Sequence, residues 1–299
     1  MSQSARRTDL IALVVAVAAV SLSGPIMTAT DAPALGIAFW RNALGAAVTL
    51  PFVFRHRETL RRLARGQWLA MASAGVLLGL HFATWIPSLR YTSIAASTAL
   101  VATQVVWAAI LAFLAGHRAP RAEWIGIGIA LLGVVLLTGI DISLSPRALI
   151  GDVLALLGAM ASAAYMTVGQ RVRPALPLAA YTAVVYATSA ITLGIICLVG
   201  SVPLSGYSLH AWLLIAAVTA VAQFGGHSLL NMALRSFSAT AVSIAILFEM
   251  PGSTLVGWVW PGQTPPWALL PAALLIVGGI VLVLRASRPT TVDVDAVTP

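Results

Sequence analysis

The chain has 299 residues, 60% of them apolar and only 9% charged, with a mean hydropathy of +0.95 and a formal charge of +8. A soluble domain carries about 25% charged residues, so a soluble enzyme or scaffold is excluded and lipid must be the solvent for most of the surface. All 17 basic residues are arginine, and the single cysteine, Cys197, leaves no intrachain disulfide to form.

A helix needs about 20 apolar residues to cross the hydrocarbon core. Ten such runs are predicted, at about 10–29, 34–54, 68–89, 94–115, 124–140, 149–169, 179–199, 211–233, 239–260 and 267–285. The first follows Arg6 and Arg7 and lacks a clean small-x-small site, so it reads as an uncleaved span. It leads into Ser21-Leu22-Ser23-Gly24-Pro25, where proline removes a donor and the freed carbonyl needs a neighbour or cavity water. The second carries Phe39-Trp40-Arg41. Arg41 is expected to snorkel toward the outer surface, the other reading being a buried carboxylate, an open helix end or a substrate anion as its partner. The stretch from Arg55 to Arg65 reads as a solvated loop.

The third run places His81, Trp85 and Ser88 on one helical face. The fourth holds Gln104 and Trp107, and the sixth holds Tyr165. Gly126 and Gly133 in the fifth, with Gly278 and Gly279 in the tenth, permit close helix contact and offer a homodimer face. Gln223, His227 and Asn231 form a polar stripe on the eighth. Such stripes line a cavity or hold helices together by hydrogen bonds. The ninth contains Glu249 and Pro251, Trp260 and Trp267 read as interfacial anchors, and residues 289–299 as a disordered tail.

Arginine fixes the expected topology. With the N-terminus in the cytoplasm, fourteen arginines fall on inner segments, Arg90 and Arg147 fall outside, and Arg41 lies within a span. Both termini are then cytoplasmic. The positive charge is a topology signal and speaks for no nucleic-acid partner. The partners expected are the bilayer and a small-molecule substrate. The absence of lysine points to a bacterial cytoplasmic membrane.

Ser88-Leu89-Arg90-Tyr91-Thr92-Ser93 is echoed 145 positions later by Ala233-Leu234-Arg235-Ser236-Phe237-Ser238. Asp9 matches Asp152, and Gly133-Val134-Val135-Leu136 matches Gly279-Ile280-Val281-Leu282. The repeats are placed at 1–143 and 144–288. Five spans per half is an odd number, so the second copy would enter the membrane from the opposite side. The expected fold is an all-α polytopic membrane protein of ten spans in two inverted five-helix repeats, an architecture that supports alternating access.

With Phe39-Trp40-Arg41, His81-Phe82-Ala83-Thr84-Trp85, the two Leu-Arg stretches and Phe248-Glu249-Met250-Pro251 in view, the chain resembles the drug/metabolite transporter superfamily with tandem EamA-type halves. That resemblance covers nearly the whole chain and implies a transporter, with outward transport as its direction. The sequence departs from the pattern at Gln104-Val105-Val106, where a proline is frequent, and at Gly116-His117 and Gly262-Gln263, where Gly-Glu is common. The usual tryptophan motif of span one is replaced by Ser21 to Pro25.

Glu249 is the only acidic residue deep in a span, near the bilayer midplane. An ionised carboxylate there costs about 2.5–3.5 kcal/mol, so it must be paired, hydrated or protonated. It reads as a proton-coupling or substrate-amine site, or as a structural cap near Pro251. The repeat offset carries it onto Gln104, putting both at one depth on the repeat interface. His81, Trp85, Trp107, Tyr165, His227 and Asn231 complete the candidate cavity, with Arg41, Pro25 and Pro251 as structural or gating residues. There is no P-loop and no His-Glu-x-x-His, so neither ATP hydrolysis nor an intramembrane metalloenzyme is expected, and no cofactor or metal. The open alternatives are proton antiport, uncoupled exchange and a channel.

Overall fold

The computed structural model describes residues 3–88, 90–92, 94–138, 145–260 and 266–286, and these are helical with no strand among them. The 289–299 tail, the junction at 143–144, Leu89, Ser93, Gly262 and Gln263 lie outside the described residues. The helices are α1 (Gln3–Ser21), α2 (Ser23–Thr28), α3 (Ala34–Arg55), α4 (Arg57–Arg61), α5 (Arg65–Ser88), α6 (Ile94–Ala102), α7 (Gln104–Leu114), α8 (Arg121–Thr138) and α9 (Pro146–Val172). After a 3-10 turn come α10 (Leu178–Val199), α11 (Leu209–Val218), a π-helical stretch (Thr219–Ser228), α12 (Leu229–Ala233), α13 (Ala239–Ile246), α14 (Glu249–Val259) and α15 (Leu269–Ala286).

Among the described residues nine helical stretches are long and apolar enough to cross a membrane. The helix at the fifth predicted run, α8, is not one of the nine, yet it packs along α15. The Arg55–Arg65 stretch is less irregular than expected. It holds α4, and α5 already begins at Arg65, where Gln67 Oε1 accepts the Ala64 N–H at 3.0 Å and caps the helix start.

Glycines set the closest helix contacts, because in lipid the association of helices rests on packing at short range. Gly151 faces Tyr91 and Thr92 while Gly158 faces Trp85, so α9 runs antiparallel to α5. Gly45 faces Tyr186 and Gly194 faces Phe39, which makes α3 and α10 antiparallel. Gly126 meets Gly279 and Gly133 meets Ala272, giving the same relation for α8 and α15. By contrast Gly75 and Gly79 meet Val185 and Ser189 in that order, so α5 and α10 are parallel. Val20 lies on Gly226 while Asp9 reaches Arg235, so α1 is antiparallel to the eighth run. Exchange of the two repeats carries this last contact onto that of α9 with α5. Gly278 has open space where a side chain would stand.

Span one is interrupted at Leu22. Pro25 has no N–H to offer the Ser21 carbonyl four residues back, and Ser253 Oγ donates to that oxygen instead at 2.8 Å. At the ends, buried Asp9 accepts from Arg235 Nη2 at 2.9 Å and Nε at 3.3 Å, and from the Ser236 hydroxyl. The nearby Arg173 is buried too; burial, then Arg235, brings its guanidinium down to about 10, still charged at neutral pH. At the corresponding opposite end Asp152 and Arg90 form no ion pair among the described residues, and Arg147 Nη2 donates to the Arg90 carbonyl at 3.0 Å.

Candidate functional site

The fourth and ninth runs are both broken, and at matching places. α6 stops at Ala102 and α7 starts at Gln104; α13 stops at Ile246 and α14 starts at Glu249. In the first half Thr103 makes the break: its N–H and its hydroxyl both turn back to the Leu100 carbonyl. In the second half Leu247 and Phe248 tighten onto the carbonyls of Ile244 and Ala245 at 3.1 and 3.2 Å. Pro251 cannot donate to the Leu247 carbonyl, which takes the Met250 N–H at 3.3 Å. Gln104 and Glu249 therefore each open a second half-helix. Gln104 is buried and Glu249 is part-buried.

Arg41 does not snorkel. Its side chain is buried at 2% exposure, with Nε donating to Gln223 Oε1 at 3.0 Å. Gln223 Nε2 in turn donates to Asn42 Oδ1 at 3.0 Å, and Asn42 Nδ2 to the Ala38 carbonyl at 2.8 Å. The guanidinium carbon stands 4.8 Å from the centroid of the Phe82 ring, whose face attracts a desolvated cation. Glu249 lies within electrostatic reach of Arg41 but makes no hydrogen bond among the described residues. Inward pairing wins over snorkelling because α3 turns this side chain into the repeat interface, where Gln223 supplies an oxygen.

The π-helical stretch positions that oxygen. Its wider turn leaves the Gln223 carbonyl accepting from both Tyr186 OH and Ser228 Oγ at 3.1 Å, and these two hydroxyls lie 2.8 Å apart. Such insertions into α-helices gather at functional sites. One turn on, His227 packs edge-on against Phe82 with ring centroids 5.5 Å apart, and its Nδ1 has no partner among the described residues.

His81 Nδ1 lies 2.9 Å from the Gly158 carbonyl, so that nitrogen carries the proton. The ring stacks on Trp85 with centroids 5.6 Å apart, and Trp85 Nε1 is buried without a partner among the described residues. Tyr165 OH donates to Asn231 Oδ1 at 2.7 Å, leaving Asn231 Nδ2 unpaired there. Trp107 lies one turn beyond Gln104 on α7 and packs part-buried on the main core. Pro25 and Pro251 sit just past the interruptions of span one and span nine.

Arg41 and His227 thus meet through the Phe82 ring, His81 stacks on Trp85, and Tyr165 bonds to Asn231. Three residues of this network were not anticipated from sequence: Asn42 and Tyr186, which bond to Gln223, and Phe82, which lies between Arg41 and His227. Phe82 lies within the His81-Phe82-Ala83-Thr84-Trp85 motif, Asn42 directly follows Arg41, and nothing in the sequence separates Tyr186 from a core aromatic.

Two stretches of the chain, 7–139 and 149–285, match the profile of the EamA-like transporter family. A solved structure described only as a crystal structure of a protein superposes with a TM-score of 0.76, covering 96% of this chain and 98% of that one at 19% identity. That likeness is one of fold. No curated protein sequence matches.

Proposed function

The chain belongs to the EamA-like transporter family, and from that membership we propose that it is a secondary transporter exporting a small organic metabolite or amino-acid-like solute by alternating access. Ten spans in two inverted repeats, with both termini inside a bacterial cytoplasmic membrane, form the frame. The antiparallel run of α8 along α15 supports counting α8 as the tenth span. The exchange of contacts between α1 with the eighth run and α9 with α5 supports the inversion.

One observation carries the proposal: two interrupted helices open their second halves at the repeat-equivalent residues Gln104 and Glu249, and Glu249 lies within electrostatic reach of the buried Arg41. Discontinuous helices at the repeat interface are where transporters bind substrates and coupling ions. Arg41 is held by Gln223 and the Phe82 face, so its charge is fixed. Glu249 has no such tie and is the group free to exchange a proton or meet a substrate amine. Protonating it removes the charge that balances Arg41, which links proton binding to the charge state of the cavity. The unpaired His227 Nδ1, Trp85 Nε1 and Asn231 Nδ2 are polar groups a solute would satisfy. The mismatch of Gln104 and Glu249 argues against a channel, which favours matching pore residues.

Reconstitution tests the reading. Liposomes containing the protein, given a panel of labelled amino acids and small metabolites under an imposed pH gradient, are expected to accumulate at least one solute until a protonophore is added. With Glu249→Gln, accumulation should stop while exchange of the same solute survives. Undiminished gradient-driven transport by Glu249→Gln would overturn the coupling role of Glu249 and assign coupling to another group, whereas a parent protein that exchanges the solute but never accumulates it would be an uncoupled exchanger.

A further inference from the structure

The two repeats are not in the same state at their two ends. In α13 the residues Ser243, Ile244 and Ala245 are buried, whereas their counterparts in α6, Thr98, Ala99 and Leu100, are part-exposed. α13 packs against both α9 and α7. Among the described residues α6 makes no comparable contact with α1 or α14, which repeat exchange would require of a symmetric molecule.

At the closed end a side chain of α9 ties the start of α13. Gln170 Oε1, at the end of α9, accepts the Ala239 N–H at 2.7 Å, joining helices 69 residues apart in sequence. Ala239 opens α13, and first-turn N–H groups have no partner within their own helix. Ser238 Oγ takes the Ala241 N–H at 3.1 Å, so Gln170 completes the cap from across the interface. Beside it Gly169 lets the Leu234 side chain come close to α9.

We propose that the Gln170–Ala239 junction is the cytoplasmic gate, and that the molecule stands closed inside and open toward the outer face. This rests on the inverted-repeat reading above. Breaking the junction exposes one N–H and one carboxamide to cytoplasmic water, which satisfies both. The hydrogen bond therefore adds only a small net cost to opening, beside the packing of α13 on α9 and α7 that must also separate.

Spin-label distances in nanodiscs test this without any solute. In a Cys197→Ala background, labels at Arg171 and Met232 report the inner end, and labels at Met27 and Tyr91 the outer end. Gln170→Leu should raise the population with a longer inner and shorter outer distance by about five- to tenfold, the shift one hydrogen bond supports. Gln170→Glu, which keeps an acceptor, should leave the distributions of the parent protein. If Gln170→Leu does not reconstitute, Gln170→Asn withdraws the acceptor by one methylene and should give the same shift. Unmoved distributions in the acceptor-deficient variant, or two pairs moving in the same sense, would overturn the gate. Since no transport is measured, that failure would leave the transporter reading standing, and loss of transport alone would leave the gate standing.

Discussion

At the residue scale, the account turns on how a buried guanidinium is tolerated. Arg41 gives up water for one side-chain oxygen, one aromatic face and the field of Glu249. Gln223→Leu removes that oxygen and also leaves Asn42 Oδ1 without its donor. Leaving a buried polar group unsatisfied costs about 1–3 kcal/mol, more for a charged one. The variant should lose about 2 kcal/mol or more of stability, read as a fall of several degrees in the melting temperature of the purified protein. A melting curve that does not move would show that water already serves Arg41. Sequence alone made Glu249, the eighth-run stripe and the two histidines visible, because polar residues stand out in apolar runs. It could not reveal that Arg41 points inward, since snorkelling and pairing differ only in rotation about the helix axis. Tyr186 escaped notice because its ring suits a core as well as its hydroxyl suits a network.

At the scale of elements, glycine placement decides which helices touch. A side chain at Gly279 would begin 2.5 Å from the Gly126 carbonyl, while one at Gly278 meets nothing within 4 Å. Gly279→Leu should therefore force α8 from α15 and lower the yield of folded protein sharply, while Gly278→Leu should be neutral; equal effects of the two would contradict the packing. The sequence marked both glycines as small but gave no reason to separate them, because only the helix phase does so. The breaks were half legible. Pro25 and Pro251 announced bends, whereas the break at Thr103 has no proline and arises from a hydroxyl bonding back to Leu100. The π-helical stretch had no signal in residue types, because its extra residue is accommodated by contacts from Tyr186 and Ser228.

At the scale of the whole molecule, duplication was the most readable feature. The Leu-Arg stretch, the two aspartates and the glycine-rich ends all align at nearly one offset, and the family profile matches the chain twice, at 7–139 and 149–285. What the offset could not foretell is asymmetry. Asp9 is paired with Arg235 while Asp152 and Arg90 form no ion pair among the described residues, and α13 is buried where the described side chains of α6 are mostly part-exposed. An alternating transporter needs both properties: halves alike enough to exchange shapes, and unlike enough at any moment to be open on one side only. The central claim is the inversion itself, and topology tests it most directly. A reporter fused after Arg90 should be accessible from outside the cell, and one fused after Arg235 only from the cytoplasm. Both on the same side would contradict it.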